Sequence, residues 1–392
     1  MSTFRRDRLT WTAYVMLAWF AFLQASPGLV VPHLREELDL SYATAGMHVA
    51  AFAAGSALAG WLSPLLERSL GRRRLLWSAA ALLAAAAVGL TGGGRVEETV
   101  GAVLLMGLGG GLVLSTLQAT LSDHHGAQRT VALAEANVAA SVSYLALTGA
   151  FAAAAALDAG WRTPLLLSLL VPAVVFGVNR RLDIGRGLAA GTDESGGDAR
   201  LPAAFYGAAG VLMCATAAEW CVTAWGASFI EETVHTSADT GVALMGGFFG
   251  GVLVGRLLGS RLARSHDPGR LFLGALGVAL AGFAVLWPAT VSAQAVVGLA
   301  LLGVGVGNLY PMGLAVAVAL APGQAAAASG RAVLATSASV LLAPLAVGAL
   351  ADLTSLTVAM GAVPTFLGLA AAGLLATSRR RAVADRAAEG AC

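Results

Sequence analysis

The sequence predicts an all-α membrane protein of twelve transmembrane helices, arranged as two pseudo-symmetric six-helix bundles with both termini cytoplasmic, and three observations predict it. The first is composition: 57% of the 392 residues are hydrophobic, 12% are charged and the mean hydropathy is +0.77, which leaves too little polar surface to cover a soluble core. The second is the division into twelve apolar stretches, most near the roughly 20 residues that a span requires. The third is the placement of charge. All of the 24 arginines except Arg35, Arg95, Arg162 and Arg256 fall in alternate gaps, and short Arg-rich loops stay cytoplasmic.

The stretches follow in order. The first, 11–31, comes after Arg5, Arg6 and Arg8; its length and the eleven stretches behind it make it a span rather than a signal peptide. An acidic gap with Glu36, Glu37 and Asp39 leads to the second, 42–66, and Arg68, Arg72, Arg73 and Arg74 separate it from the third, 75–92. Glu97 and Glu98 precede the fourth, 99–121, and Arg129 precedes the fifth, 131–157. The sixth, 163–178, ends at Arg180 and Arg181. Residues 179–200, rich in Gly, Arg and acidic side chains, read as a solvated cytoplasmic linker. Beyond it lie 202–229, 241–262, 271–288, 292–320, 332–351 and 356–377, with Arg261, Arg264, Arg270 and Arg331 in alternate gaps and Arg379, Arg380, Arg381 and Arg386 in the tail. The domains are therefore 1–178, a linker at 179–200, 201–378, and a tail at 379–392. The run from Gly107 to Gly111 recurs from Gly303 to Gly307 at 303 − 107 = 196, as a duplicated six-helix unit requires.

Several function classes are excluded. A formal charge of +2, with arginines dispersed as loop anchors, implies no nucleic-acid partner. Three cysteines, Cys214 and Cys221 within a span and Cys392 at the end, make no disulfide scaffold. His48 has no ligand neighbours at metal spacing, and His124 and His125 read as solvated, so no metal is expected. The Gly107 and Gly303 runs lack the Gly-Lys of a phosphate loop, no nucleophile, base and orienting group occur together, and neither a cofactor nor an enzyme activity is expected. Absence of lysine amid abundant Ala, Gly and Arg points to a GC-rich bacterial genome, hence to a bacterial plasma membrane.

The loop Glu67-Arg68-Ser69-Leu70-Gly71-Arg72-Arg73-Arg74 resembles the acidic-Arg-x-Gly-Arg-Arg loop of the major facilitator superfamily of secondary transporters, with one extra residue, Glu for Asp, and Ser63 at the leading Gly position. Gly255-Arg256 through Gly269-Arg270 is a looser counterpart, and the resemblance covers nearly the whole chain. It implies the major facilitator fold and alternating access for a small-molecule substrate, with membrane lipid around a monomer. Antiporters of the family carry an Arg in the fourth helix and a Gly-Pro in the fifth; Val103 and a fifth helix without proline depart from that, which favours proton-coupled import over efflux of a drug-like or biosynthetic compound. Glu219-Trp220 through Trp225, with Gly255-Arg256, resembles the fucose-permease-like branch. A non-transporting membrane sensor or scaffold is the alternative from another class.

Charges within hydrocarbon cost at least about 2.5 kcal/mol near a helix centre, so Glu135, Glu219 and Arg256 are functional candidates. Glu219 shares a face with Thr216 and Thr223, and a carboxyl lining a low-dielectric cavity can exchange a proton near physiological pH; it reads as the proton-coupling group or as a structural partner of a nearby donor. Glu135 and Arg256 read either as a gate bridge or as charges paired within their own halves. Asp123 reads as the partner of the Arg72 to Arg74 loop, as a similar residue is in the family, or as a surface charge. Substrate-lining candidates are Gln24, Asn308 and Tyr310 at mid-depth, the fifth-helix stripe Asn137, Ser141, Tyr144 and Thr148, and the aromatic faces of Trp220 and Trp225, each otherwise an interhelical contact. Trp11, Trp61, Trp77, Trp161 and Trp287 read as interfacial anchors. Gly247, Gly251, Gly255 and Gly259, with Ala132, Ala136 and Ala140, read as a smooth seam between halves or as ordinary packing.

Overall fold

The computed structural model describes residues 4–185, 201–262, 265–321 and 324–389. In chain order the helices are α1 (Arg8–Leu38), α2 (Tyr42–Leu70), α3 (Arg72–Gly92), α4 (Val96–His125), α5 (Arg129–Ala156), α6 (Arg162–Ser168), α7 (Leu170–Asn179), α8 (Ala203–Val234), α9 (Ala238–Leu262), α10 (Pro268–Leu286), α11 (Ser292–Val306), α12 (Leu309–Ala319), α13 (Ala325–Leu353), α14 (Leu356–Ala359) and α15 (Ala362–Glu389). Among the described residues eleven segments are long and apolar enough to cross a membrane, and one of them, Val96–Ala156, contains both α4 and α5 joined through a short 3-10 turn at Gly126–Gln128. Most of the expected linker, residues 186–200, lies outside the described residues.

Helices outrun the apolar stretches because hydropathy marks only the part in oil, whereas capping residues decide where the backbone stops. Asp7 caps α1 by accepting from the Thr10 amide at 2.9 Å, and Asp39 ends it in the left-handed region at φ 50. Ser41 and Asp267 cap α2 and α10 in the same way. Gly71, at φ +73, makes the sharp turn between α2 and α3 that a side chain would oppose.

Asp7 lies outside the spans and also accepts from the Thr10 hydroxyl at 2.8 Å and from His124 at 2.7 Å. Burial pushes its carboxyl up, but the Thr10 and His124 donors outweigh this and hold it below the ordinary carboxylate value. A depressed folded value adds stability above the unfolded value and loses it as pH falls through the folded one. Asp7→Asn is accordingly expected to flatten the acid limb of a thermal-stability profile below about pH 4 while keeping the cap; an unchanged acid limb would reject the assignment.

The chain forms two compact units. The first comprises Met1–Thr192 with Thr223–Glu231 and Thr236–Gly246; the second comprises Asp193–Val222, Glu232–His235 and Gly247–Cys392. In the first, α1 is enclosed along nearly its whole length and packs on α5 and α4, while α4 also packs against α2 and α3.

The internal repeat reappears as contacts. A methyl group at Gly107 would strike the Phe52 carbonyl and one at Gly303 the Phe248 carbonyl, and 248 − 52 equals 303 − 107. Gly55 meets Leu104 as Gly251 meets Ala300, again at 300 − 104 = 196. Both helix pairs, α2 with α4 and α9 with α11, thus close backbone to backbone through glycine at matching positions. The Gly247, Gly251, Gly255 and Gly259 stripe faces Val296, Ala300 and Val304 of α11 and Asn308 just beyond it, within its own unit, so ordinary close packing accounts for it.

Three expected spans are interrupted: 356–377 divides at Met360 and Gly361 into α14 and α15, and the other two break four residues before a proline, although Pro27, Pro32, Pro64 and Pro344 stay within unbroken helices. Pro172 denies an amide to the Ser168 carbonyl, and the 163–178 span divides at Leu169 into α6 and α7. Pro311 does the same to Gly307, and the 292–320 span divides at Gly307 and Asn308 into α11 and α12. The corresponding position in the first repeat is Ser115 (311 − 196), and α4 runs through it unbroken.

Candidate functional site

The second unit assembles its polar groups around that break. With no amide at Pro311 to receive, the Gly307 carbonyl accepts instead from Arg256 Nε at 3.3 Å, and the Asn308 amide donates to the Gly255 carbonyl. A reciprocal clip therefore joins α9 to the break. Arg256 is half-buried and acts electrostatically on Glu219 of α8, as Glu219 does on Tyr310 of α12. The Thr336 hydroxyl on α13 donates within its own helix, to Ala332 O at 3.1 Å and Val333 O at 3.0 Å. Thr216, one turn before Glu219, is 4% exposed, and its hydroxyl has no hydrogen-bond partner. Trp220, beside Glu219, is half-buried. Glu219, Arg256, Asn308 and Tyr310, separately chosen from sequence, are thus brought into one neighbourhood. Sequence did not show the clip that joins them.

In the first unit, Tyr144 Oη donates to Gln24 Oε1 at 2.9 Å, joining two further candidates across α5 and α1. Asn137 is exposed; the Ser141 and Thr148 hydroxyls donate to carbonyls of their own helix, Asn137 O and Leu145 O. Trp225 is 0% exposed with its ring edge-on to Tyr42, 5.7 Å between centroids, so it packs and offers no face to a solute in this structure. A separate cavity of about 560 Å³ runs along α1, α5, α6 and α7. It is lined by Val15, Trp19, Val142, Ala146, Ala150 and Leu167 among others, and it is too apolar to orient a polar solute.

The arginine-rich end of this unit carries two charge clusters. Arg72, only 4% exposed, reaches Glu67 Oε1 through Nε and Asp123 Oδ2 through Nη1, both at 2.6 Å, while Arg73 beside it is exposed. Glu135 takes Arg6 at 2.6 Å and Tyr14 at 3.1 Å, the pairing within its own half that was one of the two expectations, because Arg6 precedes α1, which packs on α5. His124 is exposed and pairs with Asp7, while half-buried His125 is engaged by Thr10, since the capping segment of α1 lies against the end of α4.

At the opposite end, residues missed from sequence make the contacts. His33 Nε2 pairs with Asp239 at 2.8 Å, and the Glu37 carboxylate is gripped by Arg162, with Nη1 at 2.8 Å, and by Trp161 Nε1 at 2.8 Å. Trp161, 5% exposed, is therefore a buried donor and not an interfacial anchor. Trp11 and Trp61 are 55% and 71% exposed, as anchors need. His33 and Asp239 are 206 residues apart and share no motif.

The family description Major Facilitator Superfamily matches residues 10–187 and 208–391. No curated protein matches the sequence. Similar solved structures include a bacterial homolog to human lysosomal transporter Spinster in an inward-facing and occupied conformation, at TM-score 0.76 and 15% identity over 96% of this chain and 98% of that one. The D-xylose-proton symporter matches at 0.73 and 16%, over 94% and 95%, and the nucleoside transporter NupG at 0.70 and 11%, over 95% and 99%. At such identities the likeness establishes the fold.

Proposed function

This chain belongs to the Major Facilitator Superfamily, and from that premise we propose that it imports a small organic solute with protons by alternating access. It is a multi-pass membrane transporter and not an enzyme. With α4 and α5 taken as separate passes the proposal has twelve spans, and the arginine pattern supports both termini on the cytoplasmic side of a bacterial plasma membrane. The observation that carries the reading is Glu219 in mid-span of α8, which interacts electrostatically with Arg256 of α9 and Tyr310 of α12, Arg256 being bonded to the α11–α12 break through Gly307. Broken helices at such depth place polar backbone where a solute or ion is handled. A proton-coupled sugar symporter shares the fold, while Val103 and a proline-free α5 lack the antiporter features. The Arg72, Glu67 and Asp123 cluster, with Arg73 beside it, and the Arg6–Glu135 pair form the cytoplasmic gate.

Glu219 takes the coupling proton. In proteoliposomes with an imposed pH gradient, screened against solute pools, Glu219→Gln is expected to lower gradient-driven accumulation about tenfold or more while solute exchange without a gradient persists. Undiminished accumulation with an unchanged pH dependence would remove Glu219 from the mechanism.

A further inference from the structure

The apolar cavity of the first unit has a length, a width and a wall chemistry that together select its occupant. Along α5 it extends from Ala139 to Leu157, 157 − 139 = 18 residues or about 27 Å, close to the thickness of the hydrocarbon layer. A volume of about 560 Å³ over that length leaves a section of about 20 Å², whereas a helix about 10–12 Å across needs at least about 80 Å². One end is the α5–α6 loop, at Leu157, Ala159 and Thr163; the other reaches only Val15, 15 − 8 = 7 residues inside α1. Thr148 lies 148 − 139 = 9 residues beyond Ala139, two and a half turns, so the polar stripe of α5 is on the face opposite the groove. Gln24 stands at the same remove from Val15 on α1, 24 − 15 = 9. The groove therefore turns away from the Tyr144–Gln24 bond, and its exposed walls Val142 and Leu167 adjoin exposed Leu166, Leu170 and Val174, the kind of surface that a bilayer covers.

The polar groups of the wall are engaged within the protein. Ser143 donates to the Ala18 carbonyl, Thr163 to that of Ala159 at 2.5 Å and Ser168 to that of Leu165 at 2.6 Å, while the Trp19 indole donates to Ser168 at 3.4 Å. No side-chain donor on the wall is left for water or a polar solute, so space at this depth is filled by hydrocarbon. We propose that the groove is a binding site for one acyl chain of a phospholipid from the leaflet on the side of the α5–α6 loop, and that this chain braces α6 and α7 against α5. The small side chains Ala139, Ala146 and Ala150 make the room for it. Hydrocarbon gains nothing by leaving hydrocarbon, so the chain is held by packing in a fixed wall and exchanges more slowly than lipid at an open helix face. The site is independent of which solute is transported and of how transport is driven.

The test places the full chain in vesicles of phosphatidylethanolamine and phosphatidylglycerol. These carry a trace of phosphatidylcholine with a photoactivatable diazirine on one acyl chain, and labelled peptides are mapped by mass spectrometry. Residues 139–157 are expected to be labelled about fivefold more than the region of exposed Leu369 and Leu375 on α15. Ala146→Phe, whose ring enters the groove from an exposed position, is expected to bring that labelling down to the α15 level with an unfolding midpoint no lower than native. Ala153→Phe, at a second exposed position on the wall, is expected to do the same and keeps the test open if the first variant fails to fold. Equal labelling of the two regions in the native protein, or undiminished labelling in a folded Phe variant, would reduce the groove to ordinary lipid solvation and overturn the site. Labelling of 139–157 that falls as the chain is packed more densely into the vesicles would give the groove to a second copy and overturn it as well.

Discussion

Arg72→Ala is expected to destabilise the first unit by about 2–4 kcal/mol, somewhat less than breaking a fully buried ion pair. Arg72 is 4% exposed and serves two carboxylates at 2.6 Å, so its removal leaves Glu67, 20% exposed, with an uncompensated charge in a poorly hydrated place. Asp123 is 50% exposed and recovers much of its hydration, which is why the loss falls short of that for a fully buried triad. Arg72→Lys discriminates charge from geometry. A point charge on a flexible stem cannot satisfy two carboxylates through separate N–H groups as the fork does, so Lys is expected to recover about half the loss. The measurement is the thermal unfolding midpoint in detergent for the native protein, both Arg72 variants and Glu67→Gln. If Arg72→Ala unfolds within about 0.5 kcal/mol of the native protein, the pairings are surface contacts of little worth.

The Arg72–Asp123 part of that cluster was legible through the loop's resemblance to the family motif, which implies an acidic partner at the end of the fourth helix; the Glu67 contact was not. Gly107 and Gly303 were legible for another reason: a period of 196 is visible without coordinates, and glycine at such positions has few uses other than close backbone approach. Contacts that depend on the path of exposed segments were not legible. Arg6 reaches Glu135 across 129 residues and His33 reaches Asp239 across 206, with no periodicity to connect either pair. Helix ends were underestimated because α1 continues through Glu36 and Glu37 to an αL residue at Asp39, beyond the part that hydropathy detects. Trp161 was misassigned because position near a span end says nothing about which way an indole turns. Candidates for the site were found as isolated polar residues in spans; their grouping required the α11–α12 break, which an apolar 292–320 run conceals.

Pro311→Ala tests whether that break is a device or a defect, and it is expected to raise stability while suppressing transport. Proline within a helix costs about 3 kcal/mol or more through the lost amide and the clash with the carbonyl four residues earlier. An alanine at 311 supplies the missing N–H to the Gly307 carbonyl, closes α11 onto α12, and is expected to stabilise the protein by about 1–3 kcal/mol after the Arg256 bond is displaced. Arg256 then loses the acceptor that orients it, and Asn308, now inside a continuous helix, no longer presents its amide to Gly255 in the same way. Uptake is expected to fall about tenfold or more, with the unfolding midpoint higher than native. Ser115, 196 positions earlier in unbroken α4, provides the internal control: Ser115→Pro is expected to cost about 3 kcal/mol, because no arginine stands at Gly60, the counterpart of Arg256, to receive the carbonyl it would free. If Pro311→Ala transports normally, the clip is only packing and the orientation of Arg256 must come from elsewhere. If it also unfolds earlier than native, the break is a structural necessity of the bundle and its tie to transport is lost.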